Sequence, residues 1–185
     1  MSGKNNATPA PEELSVSFNP LRFSWHVGQM VAGSARPGRY NDISKDFATL
    51  KQQGIEIIVN LCEGRLDIPA EFAADFTEVH EPVLDGHPPE PEQLENIIAL
   101  VKKSAAAGKR AVVHCRGGVG RTATVLIPLI MAMEGISLDE AVARLRSSGR
   151  YTQTMQQWHF LEAWAREHEA KKGGGGNKSS KRSSS

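Results

Sequence analysis

One stretch of the sequence brings a thiol, a guanidinium and a glycine-rich loop together. Cys115 follows a short apolar run at 111–113, and Arg121 stands six positions later. The residues between them are Arg116, Gly117, Gly118, Val119 and Gly120. Glycine permits positive φ, and successive backbone N–H groups in such a loop form a concavity that binds anions. An apolar helix pattern follows, so we expect a strand, a phosphate-binding loop and a helix N-terminus.

This arrangement suits the chemistry of phosphate esters. Arg121 can offer a planar fork to two phosphate oxygens. Helix N-termini and neighbouring cations favour the thiolate form of a cysteine, so we expect Cys115 to be ionised at neutral pH. His114 is predicted to fix the strand end and the loop through its ring N–H, and Thr122 to donate its hydroxyl to the thiolate. A thiolate at the floor of a phosphate cradle is a nucleophile aimed at phosphorus.

Other interpretations of the loop have less support. A buried cysteine at a strand end is often only a small core residue. A Walker-type nucleotide loop needs Gly-Lys-Ser/Thr after its glycines, and this loop lacks that sequence. A rhodanese-like sulfur carrier also has a loop headed by cysteine, but does not need one closed by Arg-Thr. The coincidence of Cys115, Arg121 and Thr122 around the glycines favours phosphate-ester chemistry.

The order His114-Cys115, five residues, then Arg121-Thr122 resembles the signature of the cysteine-based protein tyrosine and dual-specificity phosphatases. The resemblance is to the small atypical dual-specificity type, kinase-associated phosphatase among them, and extends over about 24–169. It implies a protein phosphatase that hydrolyses phosphotyrosine through a cysteinyl-phosphate intermediate. Phosphoserine and phosphothreonine are further implied substrates. The implied chemistry needs no metal and no cofactor.

Asp85 is the predicted general acid. The leaving oxygen needs a proton, and a positioned acid contributes typically about 10²–10⁴-fold to the rate. Asp85 follows a predicted strand, and Pro88 and Pro89 limit the conformations of its loop. In the resembling family the acid lies about this far before the cysteine. We favour this role, and that of base in the second step, over a plain Asx turn, with His87 as a weaker rival.

Two further roles come from the resemblance. Gln157 matches a glutamine that orients the hydrolytic water in tyrosine-specific relatives, and a plain polar residue in a first helical turn is the alternative. Cys62 matches a "backdoor" cysteine, and its strand is the expected neighbour of the strand that ends at Cys115. We hypothesise a reversible Cys62–Cys115 disulfide that protects the nucleophile from over-oxidation. A packed small residue is the alternative for Cys62.

The elements that must position these residues alternate between strand and helix. Apolar periodicity and turn residues predict strands at 18–27, 30–33, 55–62, 76–83 and 111–115. The predicted helices are 42–53, 70–75, 92–107, 121–134, 137–147 and 154–170, with Asn41 or Asp42 capping the first and Ser137 the fifth. This alternation predicts an α/β fold with a central, mainly parallel sheet flanked by helices on both faces. Ligands bind at the carboxyl ends of such strands, where Cys115 lies.

Length and composition define the domain organisation. The 185 residues allow one domain with a real core, predicted at 17–170 between a disordered arm at 1–16 and a disordered tail at 171–185. The longest uncharged apolar run is too short to span a bilayer. No secretory signal is recognisable at the start. Two cysteines without such a signal predict a reducing compartment, the cytoplasm, with the nucleus as an alternative in a eukaryote.

The distribution of charge bears on the partners. The net charge is +1, but 171–185 carries five basic residues and no acidic one. The rest of the chain has no basic stripe with interleaved aromatic residues, so no nucleic-acid partner is expected. The predicted partner is a phosphorylated protein, with a kinase as one option. Tyr40 at the pocket rim would favour phosphotyrosine, although it can equally be a residue that only precedes a helix cap.

Several alternative functions remain open from the sequence. Inositol-lipid phosphatases of the resembling superfamily tend to carry lysines in the loop, and this loop has none. A phosphoinositide phosphatase and an RNA 5′-phosphatase therefore stay as alternatives on the same fold. A phosphate-binding module without turnover would usually lack the cysteine, the arginine or the acid. A kinase-binding scaffold with secondary activity is the remaining rival.

Overall fold

The computed structural model describes residues 19–174. Within these residues five strands and five α-helices follow one another, beginning with two strands and ending with three helices. The strands are β1 (Ser24–Val27), β2 (Val31–Ser34), β3 (Ile55–Asn60), β4 (Thr77–His80) and β5 (Arg110–His114). The helices are α1 (Ile43–Gln52), α2 (Pro91–Ala106), α3 (Gly120–Glu134), α4 (Leu138–Ser147) and α5 (Met155–Gly174), with a 3₁₀ turn at Ala70–Phe72.

The strands form a single five-stranded sheet in the order β1-β2-β5-β3-β4. β1 and β2 are an antiparallel hairpin, and the remaining three pairings are parallel. His114 at the end of β5 lies opposite Ser34 of β2 and Asn60 of β3. The carboxyl ends of three parallel strands therefore meet at one edge. The predicted α/β fold with a mainly parallel sheet is confirmed.

Helices cover both faces of the sheet because side chains along the central strands alternate between two hydrophobic clusters. Ile58 and Val112 belong to the cluster that includes Phe47 of α1. Val59 and Val113 belong to the larger cluster, to which α2, α3, α4 and α5 contribute. This alternation fixes the register of each strand, since a shift by one residue would exchange the two faces.

Helix boundaries follow the predicted capping residues. The Asp42 side chain accepts the Lys45 N–H at 3.1 Å and caps α1. Ser137 and Glu140 form a reciprocal capping box at the start of α4. Both capping predictions are confirmed, with Asp42 chosen over Asn41.

Three strands are shorter than the sequence predicts. β1 begins only at Ser24, and residue 18 lies outside the described residues. β3 ends at Asn60, whose side-chain oxygen accepts the Cys62 N–H at 2.9 Å and turns the backbone out of the ladder. β4 ends at His80, shortly before Pro82, which has no N–H to donate. The predicted helix at 70–75 is a single 3₁₀ turn.

The predicted terminal segments lie largely beyond the described part of the chain. The arm at 1–16 is outside it, and so is most of the tail at 171–185. α5 continues to Gly174, past the predicted helix end at 170. Lys171 therefore belongs to the helix rather than to a tail, and a basic residue near a helix C-terminus is favoured by the helix dipole.

Helix α3 is the central helix of the molecule. Its buried residues run without a break from Gly120 to Met131, and it contacts α2, α4, α5 and three strands. Gly135 ends the helix in the left-handed conformation, the usual geometry of a glycine C-cap. Because its N-terminus follows the glycine-rich loop directly, the core of the protein fixes where that loop sits.

Candidate active site

Cys115 leaves β5 at its carboxyl end and lies at the start of the glycine-rich loop. Only 4% of its surface is exposed. The Thr122 hydroxyl donates a hydrogen bond to Cys115 Sγ at 3.1 Å. Thr122 is fully buried in the first turn of α3. The predicted contact between this hydroxyl and the sulfur is thus present, and the sulfur faces the N-terminus of a well-anchored helix.

The loop between Cys115 and α3 approaches its neighbours closely at two glycines, of which Gly118 is required by its backbone conformation. Gly118 has φ of +70°, and a Cβ there would collide with the Ser34 carbonyl oxygen. At Gly120 a Cβ would collide with the Gln153 side chain. The Arg36 N–H also donates to the Arg116 carbonyl at 3.2 Å. Close approach to β2 and to its following turn therefore holds the loop in its curled form.

Arg121 lies almost fully buried beneath the loop. Its Nη1 donates to the Val83 carbonyl at 2.8 Å and contacts the Glu63 carboxylate at 3.2 Å, while its Nη2 lies 3.2 Å from Asp85 Oδ1. Its Nε is buried and has no hydrogen-bond partner among the described residues. A buried donor without a partner is costly. A phosphate oxygen in the cradle would satisfy this Nε, as the predicted fork requires.

Asp85 lies across the cavity from the thiol, on a loop that α5 anchors. The Thr154 hydroxyl donates to the Gly86 carbonyl at 2.7 Å, and the Gln157 amide donates to the His87 carbonyl at 3.3 Å. The Asp85 side chain is 73% exposed. These tethers aim the carboxyl at the mouth, whereas the His87 ring is exposed and hydrogen-bonds the Asp85 carbonyl through Nδ1.

His114 is completely buried behind the loop. Burial lowers its pKa to about 4, so the ring is neutral at physiological pH. Its Nδ1 donates to the Cys115 carbonyl at 3.3 Å. The ring N–H thus fixes the strand end and the first residue of the loop, the geometry expected from the sequence.

The structure places a different glutamine in the cavity from the one predicted. Gln157 is fully buried, and its Oε1 accepts the Gln153 N–H at 2.8 Å while its amide N–H binds the His87 carbonyl. Both ends of its side chain are therefore engaged in holding loops together. Gln153 lines the cavity beside Cys115 and Asp85. The role of Gln157 toward the hydrolytic water stays a prediction, whereas Gln153, which precedes the start of α5 at Met155, is the glutamine on the rim of the cavity.

Cys62 follows β3, the sheet neighbour of β5. Both cysteines are free thiols and both are buried. Burial raises the pKa of the Cys62 thiol above its ordinary value, despite a hydrogen bond from Arg36. The structure thus confirms that the two strands are neighbours, and the redox role of Cys62 stays a prediction.

The cavity of about 370 Å³ around Cys115 includes residues that the sequence pattern did not single out. Arg22 and Arg39 line its mouth together with Tyr40, which confirms the predicted rim position of the tyrosine. Glu63, three residues after the end of β3, does not line this cavity but binds Arg121, which does. A charged residue directly after a predicted buried strand was the available signal for Glu63. Arg22 and Arg39 have no comparable signal, because only the sheet order brings their segments to the loop.

Comparison with known proteins identifies the family. A family model described as a DSP-PTPase phosphatase of polymorphic toxin systems matches residues 32–134, more than half of the chain. The chain belongs to this family. It is a phosphoric monoester hydrolase of the protein tyrosine and dual-specificity phosphatase class, and the matched region includes the catalytic loop and helix α3.

Relatives and solved structures agree with this assignment. The chain is 25% identical over 174 residues to mouse cyclin-dependent kinase inhibitor 3, covering 81% of each. It is 25% identical over 158 residues to mouse protein tyrosine phosphatase type IVA 2, covering 84% of this chain and 87% of the relative. The active form of Tk-PTP matches with a TM-score of 0.68 and 25% identity, covering 78% of this chain and 97% of that one.

Kinase-associated phosphatase shares the same fold. Its structure matches with a TM-score of 0.66 and 22% identity, covering 82% of this chain and 98% of that chain. The predicted resemblance to small dual-specificity phosphatases is therefore confirmed. Within residues 19–174, no helix combines the length and apolar character needed to cross a membrane.

Proposed function

We propose that this phosphatase hydrolyses phosphotyrosine in proteins, and phosphoserine or phosphothreonine in the same cavity, through a cysteinyl-phosphate. The observation that carries the proposal is the meeting of Cys115, Arg121 and Asp85 in one cavity, with the buried Thr122 hydrogen-bonded to the sulfur. A nucleophile, a cation for the phosphoryl oxygens and a carboxyl for the leaving group are the three parts that this reaction needs.

In the first step the Cys115 thiolate attacks phosphorus. The bond between phosphorus and the substrate oxygen breaks, and that oxygen takes the proton of the Asp85 carboxyl. Arg121 Nε and the loop N–H groups bind the equatorial oxygens, where negative charge accumulates. Arg116, Gly117, Gly118, Val119 and Gly120 supply the backbone of this cradle. Thr122 stabilises the sulfur by donating its hydroxyl hydrogen.

In the second step water attacks the phosphorus of the cysteinyl-phosphate. Asp85, now ionised, accepts a proton from this water, the S–P bond breaks, and the thiolate and inorganic phosphate are released. Gln153 is the proposed orienting residue for the water, since it lines the cavity next to the loop. Gln157 supports it indirectly by accepting the Gln153 N–H.

A protein substrate is favoured by the surface around the mouth. Four large hydrophobic side chains are exposed in residues 19–174: Tyr40, Leu84, Tyr151 and Met155. Tyr40 lines the cavity, Leu84 precedes Asp85, and the other two flank Gln153 within two residues. Exposed apolar groups concentrated at one site mark an interaction surface. They suit side chains that flank the phosphorylated residue in a polypeptide.

The partner and the location remain proposals of the same kind. Mouse cyclin-dependent kinase inhibitor 3 carries a kinase in its name, which supports a phosphorylated kinase as one candidate substrate. A scaffold role for such a kinase stays the alternative. We also propose a reducing, cytoplasmic location, supported by the two free thiols.

A substrate panel tests the proposed activity. It contains one peptide sequence phosphorylated on tyrosine, threonine or serine, a phosphoinositide in vesicles, and an RNA 5′-triphosphate. We expect Cys115-dependent release of phosphate from the phosphotyrosine peptide, with lower kcat/KM on the two alkyl phosphates because their leaving groups are poorer. Preference for the lipid or the RNA would replace the proposed substrate, and no release from any of them would refute the catalytic proposal.

A pair of glutamine variants at the start of α5 and just before it tests which residue orients the water. Gln153→Ala should slow hydrolysis of the cysteinyl-phosphate, so that a burst of released phenol precedes slow turnover of an aryl phosphate. Gln157→Ala is the matched change four residues later. It should lower the free energy of unfolding and leave the Asp85 loop less firmly held. It should not produce a burst. A burst in Gln157→Ala alone would return the role to Gln157.

A further inference from the structure

A second cavity adjoins the catalytic one and is rich in arginine. It has a volume of about 410 Å³ and lies where the turn after β2, the segment after β3 and the glycine-rich loop meet. We call it the arginine cavity. Its lining residues are Arg36, Gly38, Arg39, Cys62, Glu63, Gly64 and Arg116. Arg39 and Arg116 also line the catalytic cavity, so the two cavities are adjacent and share part of their walls.

The positive charge of the arginine cavity is not neutralised within the described residues. Its one carboxylate, Glu63, is engaged with Arg121 at 3.2 Å. Hydrogen bonding to its own backbone N–H, and then to Arg121, holds the pKa of Glu63 below its ordinary value. Between residues 19 and 174, no ion pair includes Arg36, Arg39 or Arg116. The cavity therefore attracts an anion.

The two arginines of the turn are held in place by the fold. The Arg39 N–H donates to the Arg36 carbonyl at 3.0 Å, and φ at Gly38 is +77°. With Pro37 before it, this is the pattern of a type II turn. The buried Asp46 of α1 accepts the Gly38 N–H at 2.9 Å and braces the turn from below.

The Arg36 guanidinium is fixed against the segment that follows β3. Nη1 donates to the Gly64 carbonyl at 2.9 Å and Nη2 to the Arg65 carbonyl at 2.6 Å. Arg39 lies over the Tyr40 ring, 5.4 Å from its centroid. An anion entering this cavity meets cations whose positions are already restricted, which reduces the entropy lost on binding.

We propose that the arginine cavity binds a second phosphate of the same polypeptide substrate while Cys115 attacks the first. This inference rests on the proposed protein-phosphatase function. Arginine forks bind phosphate oxygens in a bidentate manner, and Arg39 and Arg116 connect the two subsites. The apolar side chains around the mouth favour a polypeptide over a lipid headgroup as the molecule that carries both phosphates.

Matched phosphopeptides test the second subsite. A single sequence carries phosphotyrosine, with a serine placed one to three residues before or after it, either phosphorylated or free. At the best spacing we expect kcat/KM to be about tenfold higher for the doubly phosphorylated peptide, since one pair of charge-assisted hydrogen bonds is worth about this much. The gain should lie mainly in KM.

Two exposed arginines provide the variant and its control. Arg39→Gln should reduce the ratio between doubly and singly phosphorylated peptides to near one. Arg22→Gln removes a cation that lines only the catalytic cavity, and should leave the ratio unchanged. Because the ratio is measured within each variant, a general loss of activity does not affect it. A ratio near one in the unmodified protein, or one that Arg39→Gln preserves, would overturn the proposal.

Two further measurements distinguish failure of the second subsite from failure of the proposed phosphatase activity and from a lipid ligand. Titration calorimetry of the same peptides with Cys115→Ser measures the second subsite without turnover, so it remains decisive even if the peptides are not hydrolysed. Vesicles with phosphatidylinositol bisphosphate form the lipid arm. A preference for this lipid over the doubly phosphorylated peptide that is lost in Arg39→Gln would overturn the choice of a polypeptide.

Discussion

The two cysteines of this chain end neighbouring strands of one sheet, yet they occupy different environments. Cys115 is 4% exposed and Cys62 5% exposed, so burial does not distinguish them. Cys115 is followed by the glycine-rich loop and the N-terminus of α3, and accepts the Thr122 hydroxyl at 3.1 Å. Cys62 is followed by a turn without a helix, and burial raises its pKa.

The difference shows that the segment after the strand decides what a thiol does here. Both sulfurs lie at the edge of the sheet where ligands bind in folds of this kind. Only the loop and helix after β5 provide aligned N–H groups, a hydroxyl donor and a buried arginine. The segment after β3 contributes Glu63 instead, a carboxylate that orients that arginine.

The largest expected effect comes from replacing the sulfur of Cys115 by oxygen. The same replacement at Cys62 is the control. Cys115→Ser should lower kcat by at least about 10⁴-fold, because a neutral hydroxyl replaces the nucleophile. Cys62→Ser, the matched control, should change kcat only a fewfold. Steady-state kinetics on a phosphotyrosine peptide measure both. Equal losses in the two variants would contradict the distinction between the sites.

Replacing Asp85, the proposed general acid, should have the next largest effect on kcat. Asp85→Asn should lower kcat by about 10²–10⁴-fold on alkyl phosphates. On aryl phosphates with good leaving groups the loss should be smaller, because these need less proton transfer. The variant keeps the shape of the side chain but loses the ion pair with Arg121. Equal losses across the series of leaving groups would count against Asp85 as the acid.

The sequence was sufficient for much of this site because its parts are local. Cys115, Thr122 and Arg121 belong to one strand-loop-helix unit, so their spacing alone predicts the geometry. Gln153 and Gln157 could not be separated from the sequence, since their different surroundings depend on tertiary contacts with the loop that carries Asp85. The first turn of α5 is fixed by its tertiary contact with Gly86.

A third experiment tests whether Cys62 and Cys115 form a reversible disulfide. Peroxide should oxidise the Cys115 thiolate to a sulfenic acid, with release of hydroxide, and Cys62 should attack that sulfur, with release of water, to form a disulfide. Activity should then return almost fully with dithiothreitol. Cys62→Ser should recover severalfold less, because Cys115 proceeds to sulfinic and sulfonic acid. Non-reducing peptide mapping that finds sulfonic acid on Cys115 without a cross-link would refute the redox role.

Apart from the expected pairing of β3 with β5, the sequence left the order of the strands open. Helix caps such as Asp42 and Ser137 are local signals, and they predict α1 and α4 to within a residue. The insertion of β5 between β2 and β3 depends on pairing across more than fifty residues. That insertion brings the arginines of the turn after β2 to the catalytic loop. No local sequence pattern predicts this placement of the arginines.

The smallest expected effect is on the pH dependence of stability, to which the buried histidines His114 and His26 contribute. Burial lowers the pKa of His114 to about 4 and that of His26 to about 3. Unfolded histidines titrate near about 6.5, so below this pH the unfolded state binds more protons and stability falls. The loss should reach up to about 2 kcal/mol for each histidine at about pH 5.

Urea unfolding at about pH 7 and about pH 5 measures this loss. His114→Asn and His26→Gln should each reduce the difference in unfolding free energy between the two pH values. His159→Gln changes an exposed histidine and should leave the difference as it is in the unmodified protein. An identical pH dependence in all the variants would show that neither buried ring is responsible.

The buried helix α3 has a consequence for how this phosphatase can change over time. Its unbroken run of buried residues means that the helix which carries Arg121 and Thr122 has almost no surface on which to vary. A substitution at any of these buried positions alters the core that holds the catalytic loop in place. Selection for stability and selection for catalysis therefore act on the same positions there. New specificities should arise instead on the separately braced turn after β2 and on the loop that carries Asp85.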